Sequence, residues 1–97
     1  MKDPFLDLFS IIEDRKKSKS KNSYTLGLFN EGEKKIAQKF GEESVELIVD
    51  YLKGTKKRTI EEAADLIYHL FVLLSSKKIS YQEIQKELVK RHNVRRK

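Results

Sequence analysis

Apolar residues return along this chain at helical rather than strand spacing. Phe5, Leu8, Phe9 and Ile12 fall at i, i+3, i+4 and i+7, the stripe of an amphipathic helix. Asp3 stands where an N-cap belongs, and Pro4 where a missing N–H costs nothing. The pattern fades into the polar stretch Arg15 to Asn22, which reads as a loop. A short helical piece follows from Ser23 or Thr25, anchored by Leu26, Leu28 and Phe29. The next long helix is predicted from about Glu33 to Lys53, closed by Gly54 in a C-terminal capping position. Gly41 inside it costs about 1 kcal/mol relative to Ala and is expected to mark a close backbone approach by a neighbour or ligand. Thr59 is expected to cap a helix over roughly Ile60 to Ser76. Ser80-Tyr81-Gln82-Glu83 is a capping box opening a fourth main helix, with Ile84 and Leu88 facing inward. Nothing reads as a strand, and no internal repeat recurs at a period of about 20 to 50 residues. The fold class is all-α, a small bundle of four main helices.

Ninety-seven residues suffice for one domain, 1–97. The longest uninterrupted apolar run, Leu70 to Leu74, falls far short of the roughly 20 residues that span a bilayer. The opening Met1-Lys2-Asp3-Pro4 has no basic region followed by an apolar segment, so no secretory signal and no membrane association are expected. Without cysteine there is no thiolate nucleophile, disulfide or Cys-ligated zinc, and a cytoplasmic location is the default. The net charge of +6 suggests nucleic acid, but its distribution argues against it. Segment 15–21 carries five Lys/Arg and segment 91–97 four, with no acid in either. The rest holds 12 basic and 15 acidic residues, a mildly acidic body with two basic appendages that read as solvated segments. No aromatic residues interleave with those runs, so a basic helical nucleic-acid-binding protein is the distant reading.

The third main helix carries the informative chemistry. From Ala63 to Leu74 it is apolar on nearly every side, as in a helix at the centre of a bundle or in an oligomer interface. At about 100° per residue, Glu62 and Asp65 lie near one another, and His69 falls between them a turn later. On the preceding helix the same arithmetic gathers Ile36, Phe40, Leu47 and Tyr51 into a core stripe. Lys39, Glu43, Glu46 and Asp50 run along its edge, with Glu43 nearest the core and Glu42 further out. Each helix thus offers paired acids, Glu43-x-x-Glu46 and Glu62-x-x-Asp65, beside buried surface. Converging carboxylates repel one another, and hard Mg2+ or Mn2+ resolves the conflict with oxygen ligands. An acid-held cation with lysine nearby suits a phosphate substrate. Alone, a Glu-x-x-Glu pair is common on solvated helices, and Glu62 also stands where it would complete a capping box with Thr59. His69 reads equally well as a core histidine satisfied by a carboxylate or as a ligand.

Glu-x-x-Glu followed by Glu-x-x-Asp on two helices resembles the MazG-like all-α nucleoside triphosphate pyrophosphohydrolase superfamily. Within it, Ser23-Tyr24-Thr25, the block KIAQKFGEESVE from Lys35 to Glu46 and the block EEAADLIYHLFVLL from Glu61 to Leu74 resemble the phosphoribosyl-ATP pyrophosphohydrolase family. The resemblance spans about residues 5–92, leaving 93–97 as a basic tail. Ser44, where Ala is expected after the paired glutamates, is a small-for-small departure. The resemblance implies hydrolysis of the α–β phosphoanhydride of phosphoribosyl-ATP, the second step of histidine biosynthesis, in a homodimer. Magnesium-assisted hydrolysis without a covalent intermediate is expected, since the chain has no Cys and no Ser with an obvious adjacent base. The resemblance also implies that Glu43, Glu46, Glu62 and Asp65 hold metal and that Glu42 orients or deprotonates the attacking water. Lys35 and Lys39 are assigned to phosphate, and Tyr24 and Thr25 to substrate. A chain of this length has no room for a fused cyclohydrolase and is expected to be the stand-alone form. The rivals are a sibling enzyme acting on another NTP or dNTP, and a pure dimerisation module, which leaves the embedded acids without a reason.

Overall fold

The computed structural model describes residues 3–18 and 23–95. It contains five α-helices and no strand among them: α1 (Pro4–Lys17), α2 (Tyr24–Glu31), α3 (Glu33–Lys53), α4 (Lys56–Ser76) and α5 (Tyr81–Arg95). The all-α expectation is borne out, the short piece after Ser23 being a full helix of two turns.

Local signals set most of the boundaries. Asp3 Oδ1 accepts from the Phe5 amide at 2.9 Å with Pro4 in the first turn, and Ser23 Oγ accepts from the Leu26 amide at 3.1 Å. α1 continues through Arg15, Lys16 and Lys17, where a loop was expected, because three cations suit the negative pole of a helix C-terminus. The remainder of that loop, 19–22, lies outside the described residues. Gly32 joins α2 to α3 at φ 94°, a left-handed conformation that glycine adopts without strain.

α4 begins a turn earlier than the apolar pattern indicates. Thr55, not Thr59, is its N-cap, its Oγ1 accepting from the Arg58 amide at 3.1 Å. Lys56 to Arg58 carry no apolar periodicity, so the stripe became visible only at Ile60. Thr59 instead donates to the Asp50 carbonyl at 3.2 Å and the Thr55 carbonyl at 2.9 Å. Consequently Glu62 completes no capping box.

α3 and α4 form a helical hairpin with only Gly54 and Thr55 between them. Gly54 caps α3 as expected, its amide donating to the Asp50 carbonyl at 2.8 Å. A Cβ on Gly54 would stand 2.6 Å from Asp50 Oδ1 and 2.9 Å from Asp50 Cα, so the turn closes only around glycine. At Gly41 nothing lies within 4 Å of a Cβ position, and no neighbour in the chain makes the expected close approach.

The core comprises Phe9, Ile12, Leu28, Ile36, Phe71 and Val72, with Phe9 and Phe71 in an edge-on ring contact at 5.2 Å. Tyr81, at the start of α5, packs on both of those rings and donates to Asp3 Oδ2 at 3.0 Å. The capping box there is formed, Ser80 Oγ accepting from the Glu83 amide and Glu83 Oε2 from the Ser80 amide. Several residues expected inside are not. Phe5 and Leu88 are exposed, and Tyr51 is 74% exposed. On α3 the buried sector is rotated toward Glu43 and Asp50, which leaves Tyr51 outside. α5 is anchored through Tyr81, and Leu88, two turns on, reaches no core. The presumed tail is helical through Arg95, and residues 96 and 97 lie outside the described residues.

Candidate active site

The hairpin brings the paired acids of α3 and α4 together. Glu43, Glu62 and Asp65 each present an oxygen so that all three lie within 4.8 Å of one another. Glu62 is the deepest, at 4% exposure, although exposed Glu61 stands next to it in sequence. Two buried carboxylate oxygens among the described residues, Glu43 Oε2 and Glu62 Oε2, have no hydrogen-bond partner. Such groups are costly to bury unless something else satisfies them.

The electrostatics agree with that crowding. Burial pushes the Glu62 carboxyl above its ordinary value, Arg58 pulling the other way and Glu46, Asp65 and Asp50 adding to the rise. Glu46, more exposed, stands beside the triad. It is pushed up chiefly by the neighbouring Glu43 carboxyl. His69 is buried with Nε2 3.9 Å from Glu43 Oε1, and burial, then the charge of Lys39, lowers its pKa. A neutral imidazole against the triad is compatible with both readings of His69, since a ligating histidine is neutral too.

Glu42 does not join the group. It points to the outer flank, accepts from Gln38 Nε2 at 2.9 Å and pairs with Lys39 at 3.4 Å. The Gln38 bond and Lys39 hold its carboxyl below the usual range, so it is a weak base where it stands. Lys39 itself is raised, first by Tyr24 and then by Glu42, and acts on Glu46 and His69 at the edge of the triad. Lys35 is half-buried and lies near enough to Glu42 to add to its lowering.

α2 delivers Tyr24 and Thr25 to the same side. The Thr25 and Tyr68 hydroxyls share a hydrogen bond, and the Tyr24 ring stacks on Tyr68 at 6.4 Å. Tyr68 in turn stands edge-on to His69 at 5.0 Å. A continuous wall therefore runs Tyr24, Tyr68, His69, Glu43. Of the residues singled out from sequence, Glu43, Glu62 and Asp65 converge, Glu46 adjoins them, Lys39, Tyr24 and Thr25 line the approach, and Glu42 faces away.

Three neighbours escaped the sequence reading. Tyr68 was hidden in an apolar run. Asp50 stands on the charged stripe with no role assigned to it there, yet its carboxylate lies on the triad side, 3.9 Å from Arg58 Nη2. Arg58 itself precedes the apolar pattern and gave no periodic signal. Its one legible feature is the i, i+3, i+4 spacing to Glu61 and Glu62.

The sequence profile of the phosphoribosyl-ATP pyrophosphohydrolase family matches residues 5–92. The chain is 42% identical over 87 residues to the histidine biosynthesis bifunctional protein HisIE of Thermotoga maritima, covering 90% of this chain and 44% of that protein. It is 41% identical over 88 residues to the HisIE protein of Staphylococcus aureus strain Mu50, 91% of this chain and 42% of that one. It is also 45% identical over 86 residues to the HisIE protein of Bacteroides thetaiotaomicron, 89% of this chain and 42% of that one. The chain thus spans less than half the length of these curated relatives.

Proposed function

The chain belongs to the phosphoribosyl-ATP pyrophosphohydrolase family, and from that premise we propose that it hydrolyses the α–β phosphoanhydride of phosphoribosyl-ATP, releasing phosphoribosyl-AMP and pyrophosphate. Such a biosynthetic hydrolase would work in the cytoplasm; no helix among the described residues is long and apolar enough to cross a membrane. The observation that supports this reading most is the pair of unpartnered buried oxygens, Glu43 Oε2 and Glu62 Oε2, on two helices and within one acid triad. All-oxygen donors of this kind fit a hard divalent cation, Mg2+ or Mn2+. Glu43, Glu46, Glu62 and Asp65 would hold it. When bound, such an ion supplies charge neutralisation of phosphate oxygens and a more acidic water.

The chain's own residues do the rest. Lys39 at the triad's edge neutralises phosphate charge, with Lys35 a turn earlier on α3 supporting it. Tyr24 and Thr25, fixed through Tyr68, bind the substrate from α2. Glu42 serves the site by holding Lys39 rather than by taking a proton. A second copy of the chain belongs to this reading, because α3 bears a second apolar stripe, Val45, Ile48, Val49 and Leu52, each more than half exposed.

The test is pyrophosphate release from phosphoribosyl-ATP with magnesium and with EDTA, with ATP and dNTPs alongside. Magnesium-dependent release from phosphoribosyl-ATP alone is expected. Asp65→Asn, at an exposed position, should remove most of it while leaving the helical circular dichroism intact. Release from ordinary nucleotides instead would keep the carboxylate chemistry and discard the substrate. No release from any of them would discard both.

A further inference from the structure

Arg58 runs against two rules of helix electrostatics. It stands in the first turn of α4 with Lys56 and Lys57 and without an acid, where the helix dipole disfavours cations. Its partners Glu61 and Glu62 lie C-terminal to it, the less favourable order for an ion pair on one helix. Helix stability therefore does not account for the arrangement. Its geometry at the acids does. Nη1 donates to Glu61 Oε1 at 2.8 Å, Nη2 donates to Glu62 Oε1, and Nη2 lies 3.9 Å from Asp50 Oδ2 on α3. The guanidinium thus fixes one oxygen of Glu62 and leaves the other buried without a partner, in the residue shared with the Glu43–Asp65 triad.

We propose that Arg58 is a positioning residue for a divalent cation, holding Glu62 Oε1 so that Glu62 Oε2 stays available to the ion; this rests on the metal reading of the triad. A guanidinium suits the task because its fork engages Glu61 and Glu62 through separate N–H groups, which a single ammonium does not reproduce. Removing an outer partner of a metal ligand typically weakens metal affinity by about 10–100-fold. The charge of Arg58 acts in the opposite sense, since a cation beside the site repels another. Charge alone predicts tighter binding when Arg58 is deleted, and positioning predicts weaker binding.

The experiment is calorimetric titration of the whole chain with Mn2+, for the unaltered protein, Arg58→Ala, Arg58→Lys and Lys57→Ala, with circular dichroism of each without metal. Arg58→Ala should bind Mn2+ at least about tenfold more weakly. Arg58→Lys should fall between it and the unaltered chain, and Lys57→Ala, which removes the same charge from the same turn, should not weaken binding. Arg58→Ala binding as tightly as the unaltered chain, or more tightly, overturns the proposal, as does an equal loss in Lys57→Ala. If Arg58→Ala does not fold, Arg58→Lys decides, and unaltered affinity there overturns the proposal. An unaltered chain that binds no Mn2+ overturns the metal reading itself, an outcome distinct from a lost Arg58 effect.

Discussion

At the scale of single residues, the acids behave as their surroundings require. Glu62 lies inside because its helix places it on the face turned to α3, and its pKa rises because water has been taken from it. A carboxyl with a raised pKa binds protons more readily folded than unfolded. Its ionised form is therefore a cost to the fold at neutral pH, relieved as the pH falls through the raised pKa toward the ordinary 4.5. Glu62→Gln should accordingly raise Tm at pH 7 without metal, by an amount that shrinks as the pH is lowered toward 4.5, in melts at fixed protein concentration. A Tm lowered at pH 7 would show that the pairing with Arg58 outweighs the burial. The acids were legible in the sequence because i, i+3 spacing and apolar neighbours are properties of one helix. Glu42 shows the limit. It matched the motif as well as Glu43 did, but one position on a helix is about 100°, enough to carry it from the triad to Gln38 and Lys39.

At the scale of helices, the hairpin of α3 and α4 sets the register of the site. Its two-residue connection fixes which turns of the two helices meet, and Gly54 allows the connection to pass against Asp50. Gly54→Ala puts a methyl within 3 Å of Asp50 backbone and side chain, so something must shift. It should cost about 1–3 kcal/mol as overpacking does, read from denaturant unfolding, and weaken Mn2+ binding because Asp50 and the triad share that end of the hairpin. Unchanged stability would mean that the turn relaxes freely. Helix existence was readable throughout, since periodicity and caps are local. The errors fell where a stripe is not the whole helix. The start of α4 is polar, and α3 has two apolar stripes of which the pattern Ile36, Phe40, Leu47, Tyr51 captured mainly one. Which stripe meets α4 is decided by tertiary packing, so Tyr51 was misplaced.

At the scale of the molecule, the six buried hydrophobics among the described residues make a small core, while Val45, Ile48, Val49 and Leu52 stand in solvent 52–69% exposed. A fully buried side chain of this kind contributes roughly 1.5–3 kcal/mol, so covering the stripe with its copy would supply what the single chain lacks. Sedimentation should show a dimer, and Ile48→Glu should convert it to monomer. A monomeric unaltered chain would rule out this face as a self-association surface. The +6 charge is carried by segments 15–21 and 91–97 and not by the acidic remainder, a separation visible from the order of charges along the chain.

The Gly54–Thr55 connection has a temporal consequence as well. Glu43 and Asp65 are 22 positions apart in the chain, and closing so short a span costs little entropy beside bringing α1 onto α4. The hairpin, with its repelling acids, is therefore expected to close before α1 docks on it. If the acids hold a divalent cation as proposed, Mn2+ in the refolding buffer should speed folding as well as slow unfolding in stopped-flow measurements, and an unchanged folding rate would place the site's assembly after the rate-limiting step.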